Sequence, residues 1–150
     1  WEDESATAAA IDEAGWMHSG DLAVMEESGY VHIVGRLKDM IIRGGENIYP
    51  REIEELLYTH PAVADVAVVG APDPRWGEEV AAFVRPAAGA SPTSEELFAF
   101  VRSHLAPYKA PKRWIFCDTF PTTPSGKVQK NLLRARLVEE EGVPRAVTPS

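Results

Sequence analysis

The chain has 150 residues, a single cysteine and a formal net charge of −8, and hydrophobic residues make up 45% of it. That length suits one domain, or a small domain with a piece of another, and it buries enough surface to need no disulfide or metal staple. The charge is uneven: residues 1–30 hold eight acids and no Lys or Arg, while the remaining 15 acids balance 15 bases, so the basic face of a nucleic-acid reader is missing.

Trp1 opens the chain with no initiator Met and runs into the Ala-rich SATAAAID, which reads as a piece cut from a longer polypeptide. Residues 5–14 suit a short helix that Gly15 can end. LAVME and YVHIVG, separated by Glu27-Ser28-Gly29, predict a β-hairpin closed by a glycine-containing turn. MIIR is short and β-branched, hence a strand. In GRLKDMIIRGGENIYP the double glycine does not read as a turn between two strands, because Pro50 and REIEELL announce a helix. Ile53, Leu56 and Leu57 repeat at helical spacing, and Ile48 can staple onto Ile53.

HPAVADVAVVG and EEVAAFVRP are β-rich runs joined by the loop APDPRWG. Thr93 with Glu96 forms a capping box, and Leu97, Phe98, Val101 and Leu105 supply the apolar stripe of the helix that follows. APYKAPK reads as a loop, WIFCD as a strand and FPTTPSGK as a Pro/Gly-punctuated loop. Val128, Leu132, Leu133 and Leu137 give the last helix its buried side, and the tail GVPRAVTPS is frayed. The order ββ-β-α-β-β-α-β-α lacks strict alternation, so an α+β domain is expected rather than a doubly wound one. The composition break near Arg36 is the candidate domain boundary.

No run approaches about 18 consecutive apolar residues and the acidic start is unlike a signal peptide, which predicts a cytoplasmic protein without a transmembrane segment. Cys117, inside WIFC, reads as a buried, inert thiol in a reducing compartment. His18, His32, His60 and His104 are scattered, with no pair at metal-ligand spacing, so no metal site is expected. PSGKVQK places Gly-Lys before a helix, but the earlier glycine of a P-loop is missing and Val128 stands where a hydroxyl is required. Lys127 is then either a solvated loop residue or a mobile cation for a phosphate. Asp21, after a glycine and before a strand, is either a turn former or a carboxylate able to accept from two neighbouring hydroxyls. Arg36 closes the hairpin, where an exposed salt bridge is its usual fate.

Read together, GWMHSGDL, GRLKDMIIRGGENIYPREIE and PTTPSGK resemble, in order and spacing, the C-terminal part of the adenylate-forming enzymes. That superfamily includes acyl-CoA synthetases, firefly luciferase and the adenylation domains of peptide synthetases. The resemblance covers nearly all of residues 1–140, and GGENIYPREIEELL with RWGEEVAAFV is most similar to the medium-chain fatty-acyl-CoA synthetases. It implies an α+β fold: a small C-terminal lid domain with a β-hairpin and a mostly antiparallel three-stranded sheet flanked by helices, preceded by the tail end of a larger N-terminal domain. Residues 1–36 would end the large ATP- and acyl-binding domain, 37–140 would form the mobile lid, and 141–150 a flexible tail.

The resemblance also implies roles. Asp21 matches the aspartate that binds the ATP ribose hydroxyls, and Arg36 the arginine that supports the same nucleotide. Lys127 matches the catalytic lysine of adenylation, Lys38 the hinge residue, and Gly44 and Gly45 the border of the tunnel for the CoA pantetheine arm. Trp76 beside Arg75, and Tyr108 beside Lys109 and Lys112, are candidates for the CoA nucleotide, with core packing or plain exposure as the alternative. Some relatives carry a basic residue where Ala110 stands. Fatty acid, ATP and CoA are the implied substrates, with Mg2+ expected alongside ATP but not held by the residues identified. Acyl transfer to a carrier protein and a non-catalytic CoA- or nucleotide-binding module are the competing readings. The chain ends soon after the lysine motif with no carrier-like domain, which favours free CoA. The phosphate loop and the adenine-holding aromatic motif of the large domain are absent, so the isolated chain is expected to be inactive.

Overall fold

The computed structural model describes residues 3–140. They fall into two compact units that meet between Lys38 and Asp39.

The first unit opens with helix α1 (Glu4–Ala10), capped by the Asp3 carboxylate, which accepts from the Ala6 amide at 2.9 Å. The helix is shorter than its alanines suggest. Asp12 Oδ1 accepts from the amides of Ala14 (3.0 Å) and Trp16 (2.9 Å), a local turn that competes with helical hydrogen bonding. Gly15, at φ +84°, lies inside that turn rather than at a helix end. Strands β1 (Asp21–Met25) and β2 (Val31–Arg36) form the expected antiparallel hairpin, in register from Asp21↔Arg36 to Met25↔Val31 with a bulge between Leu22 and Ala23. No described residue of this unit is buried, and Trp16, Met17, Met25 and Tyr30 are each more than 70% exposed.

The second unit is an α+β domain built on a five-stranded sheet in the order β4-β3-β6-β5, with β7 also paired to β6. Strands β3 (Ile41–Arg43) and β4 (Glu46–Ile48) are antiparallel neighbours. They are joined by Gly44 (φ +58°) and Gly45 (φ +90°). A two-residue hairpin turn with both positions at positive φ suits glycine above any other residue. The double glycine therefore does separate two strands, and the sheet gains strands beyond the three expected. ENI carried no strand pattern because it is three residues long with one buried apolar side chain, Ile48.

Strands β5 (Val63–Asp73) and β6 (Gly77–Pro86) make the long antiparallel pair at the centre of the fold. The ladder runs on to Asp73↔Gly77, so the predicted loop APDPRWG shrinks to Pro74-Arg75-Trp76. Asp73 Oδ1 accepts from the Arg75 (2.9 Å) and Trp76 (2.8 Å) amides and turns the chain there. Pro72 is tolerated within β5 because that strand lies at the sheet edge. Strand β7 (Arg113–Phe116) runs parallel to β6.

Both faces of the β5–β6 pair are covered, which is why those strands read as continuous apolar runs. On one face Val66, Val68, Val80, Ala82 and Val84 pack with Ile53 and Leu57 of helix α2 (Pro50–Tyr58) and with Leu97 and Val101 of helix α3 (Ser94–His104). On the other, Ala67, Val69, Ala81 and Phe83 pack with Leu133 and Leu137 of helix α4 (Lys130–Glu140). Pro50 begins α2, with Ile48 before it and Ile53 within it both fully buried in one cluster. Thr93 Oγ1 caps α3 by accepting from the Glu96 amide at 3.1 Å. Leu132, expected on the buried side of α4, is 46% exposed. No helix among the described residues is long and apolar enough to cross a membrane.

Candidate functional site

In the first unit, the β1–β2 register sets Asp21 directly opposite Arg36 at the open end of the hairpin, and Arg36 Nε lies 3.0 Å from Asp21 Oδ1. The Asp21 amide donates to Ser19 Oγ at 3.1 Å, and the Leu37 amide donates to the Gly20 carbonyl at 2.9 Å, so the loop before β1 is tied to the end of β2. An open cavity of about 320 Å³ lies there, lined by Ser19, Gly20, Arg36, Leu37 and Lys38. Lys38 is exposed, in the 3-10 turn Leu37–Asp39 that carries the boundary between units. The structure thus brings Asp21, Arg36 and Lys38 to one end of the hairpin. A half-buried carboxylate with a guanidinium beside it is able to take hydroxyl and phosphate groups of one ligand.

The Lys127 loop, in the second unit, is a small hairpin rather than irregular coil. Thr122 bridges Val128, the Thr123 amide donates to the Lys127 carbonyl at 2.8 Å, and the Lys127 amide donates to Thr123 Oγ1 at 3.1 Å. Gly126, at φ +81°, makes the turn. Lys127 is exposed on it, and among the described residues no carboxylate pairs with its ammonium group. The loop therefore presents an exposed cation on a hydrogen-bonded hairpin.

Gly44 and Gly45 are exposed at the tip of the β3–β4 hairpin. The Gly44 amide donates to the Trp76 carbonyl at 2.8 Å, so the turn and Trp76 are brought together. Trp76 in turn carries two guanidinium groups over its ring, Arg43 at 4.9 Å and Arg75 at 4.6 Å from the ring centre. Tyr108 and Lys112 have other partners. Tyr108 packs against the α2–α3 core cluster, and Lys112 Nζ lies 4.7 Å over the ring of Phe98, beside an open cavity of about 310 Å³ that includes Trp114 and Pro111. Lys109, next to Tyr108, places its ammonium 2.7 Å from both oxygens of Glu52.

Sequence reasoning missed Arg43, Glu78 and Glu79. Arg43 Nε donates to Glu79 Oε1 at 2.7 Å, a pair in which both side chains are mostly buried, and that hydrogen bond raises the pKa of the guanidinium above its ordinary value. Glu78 Oε2 accepts from the Ile42 amide at 2.7 Å. The period-two pattern of β6 puts Glu79 on the same face as Ala81 and Phe83, a signal of burial readable in EEVAAFVRP. Its partner across the sheet was not readable. Cys117 is only partly buried rather than fully so, yet that burial still pushes its thiol above its ordinary pKa, which leaves little thiolate for nucleophilic work. No cluster of carboxylates, imidazoles and thiols that could hold a metal is present among the described residues.

Comparison with known proteins identifies the family. The AMP-binding enzyme C-terminal domain profile matches residues 52–127, half of the chain. The chain is 52% identical to a feruloyl-CoA synthase of an Amycolatopsis species over 136 residues, covering 91% of this chain and 28% of that protein. It is 47% identical to the mitochondrial medium-chain acyl-CoA ligase ACSF2 of Homo sapiens, covering 91% of this chain and 22% of the ligase. Among solved structures, ATP-bound MatB from Rhodopseudomonas palustris superposes with a TM-score of 0.85 at 40% identity, over 91% of this chain and 27% of that one. The chain thus spans about a quarter of the length of each protein it matches. It belongs to the family of AMP-binding enzyme C-terminal domains.

Proposed function

We propose that this chain is the C-terminal part of an ATP-dependent fatty-acyl-CoA ligase. The observation that carries the reading is the Asp21–Arg36 pair, held in register at the open end of the hairpin, where Arg36 and Lys38 line an open cavity. Relatives that are acyl-CoA-forming enzymes by name support the reaction class. In the first half-reaction a carboxylate oxygen attacks the α-phosphorus of ATP, the bond to the β-phosphate oxygen breaks, and pyrophosphate leaves. In the second, the CoA sulfur attacks the acyl carbonyl carbon and AMP departs.

Asp21 accepts from the ribose hydroxyls and Arg36 offsets phosphate charge. Lys127 stands between two anions that must approach each other, and an exposed ammonium on a braced hairpin suits that task. Lys38, at the boundary between the two units, is the pivot about which residues 37–140 reorient between the half-reactions. Gly44 and Gly45 border the path of the thiol arm, with Trp76 and Arg75 beside it for the CoA nucleotide. Tyr108 and Lys112 are weaker candidates because each is engaged elsewhere. Mg2+ would travel with the phosphates of ATP, since the described residues include no cluster of carboxylates, imidazoles and thiols that could hold it.

The exposed apolar side chains of residues 16–33 support residues 1–36 as the end of a larger domain that covers them. A reducing cytoplasmic setting suits the lone thiol. The test is Lys127→Ala in the complete protein. Pyrophosphate release should fall by about 10²–10³-fold, while conversion of supplied acyl-adenylate to thioester falls by less than about threefold. Equal loss in both half-reactions refutes the assignment. Running the second step with CoA and with a phosphopantetheine-bearing carrier identifies the acceptor. This chain alone should release pyrophosphate only at background.

A further inference from the structure

We propose that Glu79 is a positioning residue for the second half-reaction: through Arg43 it latches the β3–β4 hairpin onto the end of β6, and with it the Gly44–Gly45 turn and the adjoining Trp76 ring. The inference rests on the thiol-arm reading of Gly44 and Gly45 given above and adds residues that reading does not contain.

A three-residue strand cannot be held by its ladder alone when it meets its neighbour at one register pair, Arg43↔Gly77. Ile41 and Ile48, paired at the base of the hairpin, are buried in the core, and the further side-chain and turn attachments, at Ile42, Arg43 and Gly44, are polar and come from the segment Trp76–Glu79. The Trp76 carbonyl accepts from the Gly44 amide at 2.8 Å, Glu78 Oε2 accepts from the Ile42 amide at 2.7 Å, and Glu79 Oε1 accepts from Arg43 Nε at 2.7 Å. Glu79 is only 8% exposed. A buried ion pair is seldom more stabilising than a well-packed apolar pair, because both charges lose their hydration. Stability therefore does not explain a carboxylate on a strand whose next five residues are Val, Ala, Ala, Phe and Val. A single defined arrangement of the hairpin does.

The contacts continue to the turn. Arg43, fixed by Glu79, lies over the Trp76 ring at 4.9 Å. That ring sits so close to Gly44 that a Cβ there would stand 2.6 Å from Cε3. Displacing the ring and displacing the turn are thus one event. Glu79 touches neither reactant, so its influence passes through Arg43.

The experiment uses Glu79→Gln, which keeps shape and removes charge, in the complete protein. The KM for CoA should rise about tenfold, with kcat and pyrophosphate release within about twofold of wild type. Amide hydrogen exchange should accelerate at residues 42–47 and stay unchanged across the β5 core. Unchanged exchange at 42–47 overturns the latch whatever happens to catalysis. Accelerated exchange with an unchanged CoA KM overturns the positioning role. Parallel loss of both half-reactions, or a global rise in exchange, assigns Glu79 to stability alone and equally overturns it. Should Glu79→Gln fold poorly, the double variant R43M/E79L supplies an apolar pair; it should fold and still show the raised CoA KM, and a wild-type KM there refutes the proposal. A complete wild-type protein that forms no thioester refutes the function proposed above, and with it the role in that half-reaction, while the exchange measurement still decides the latch.

Discussion

At Gly44 a methyl group would stand 2.6 Å from Cε3 of Trp76, whereas at Gly45 nothing lies within 4 Å of the same position. Both residues have positive φ, so alanine at either site carries the left-handed backbone penalty of about 1–2 kcal/mol. Gly44→Ala must in addition move an indole that Arg43 and Arg75 overlie. Gly44→Ala should therefore lower the chemical unfolding midpoint clearly more than Gly45→Ala does, measured side by side by urea denaturation. Equal losses would mean that the ring gives way freely. This inequality was illegible in the sequence, where the two glycines are one motif. The turn was hidden because ENI is too short to show alternation and Pro50 follows so soon. The pairing of Asp21 with Arg36 was half visible: the hairpin could be read from LAVME and YVHIVG, but its register depends on a bulge between Leu22 and Ala23 that no residue type announces.

Among elements, the strongly patterned ones were legible and the ones set by tertiary contacts were not. Helix α2 has Pro50 at its first position and Ile53 and Leu57 facing inward, and it forms as its spacing predicts. Helix α4 buries Leu133 and Leu137, one turn apart on one face, and leaves Leu132, rotated about 100° from Leu133, half exposed at the edge of that face. The capping box at α3 is half made: Thr93 accepts from Glu96, while the Glu96 carboxylate lies 3.6 Å from His60 Nε2. Strand β5 outran its expected end because edge position excuses Pro72 from donating. The α2 face allows a direct check. Ile53 is fully buried in the larger core cluster, so Ile53→Ala should cost about 2–5 kcal/mol. Glu55, on the opposite side, makes an exposed i,i+4 pair with Arg51, and Glu55→Ala should stay within about 0.5 kcal/mol of wild type. Guanidinium unfolding monitored by circular dichroism separates these, and comparable losses would contradict the assigned face.

For the whole molecule, the division at Lys38 has a thermodynamic meaning. All buried hydrophobic residues among those described lie from Ile41 onward, and they form two clusters on the two faces of the β5–β6 pair. Residues 3–38 contribute a seven-residue helix and a two-stranded hairpin with no buried side chain. A hairpin without a third strand or a packed helix is at best marginally stable in water, and a chain of that length seldom folds alone. A segment comprising residues 39–150 should therefore retain one cooperative denaturant transition, since it carries every core residue. A peptide of residues 1–38 should show no cooperative transition and little ordered circular dichroism. Loss of cooperativity in the 39–150 segment would mean that its core depends on the preceding residues. A cooperative transition in the 1–38 peptide would mean that its exposed Trp16, Met17, Met25 and Tyr30 find enough partners among themselves, and that no larger domain is needed to cover them.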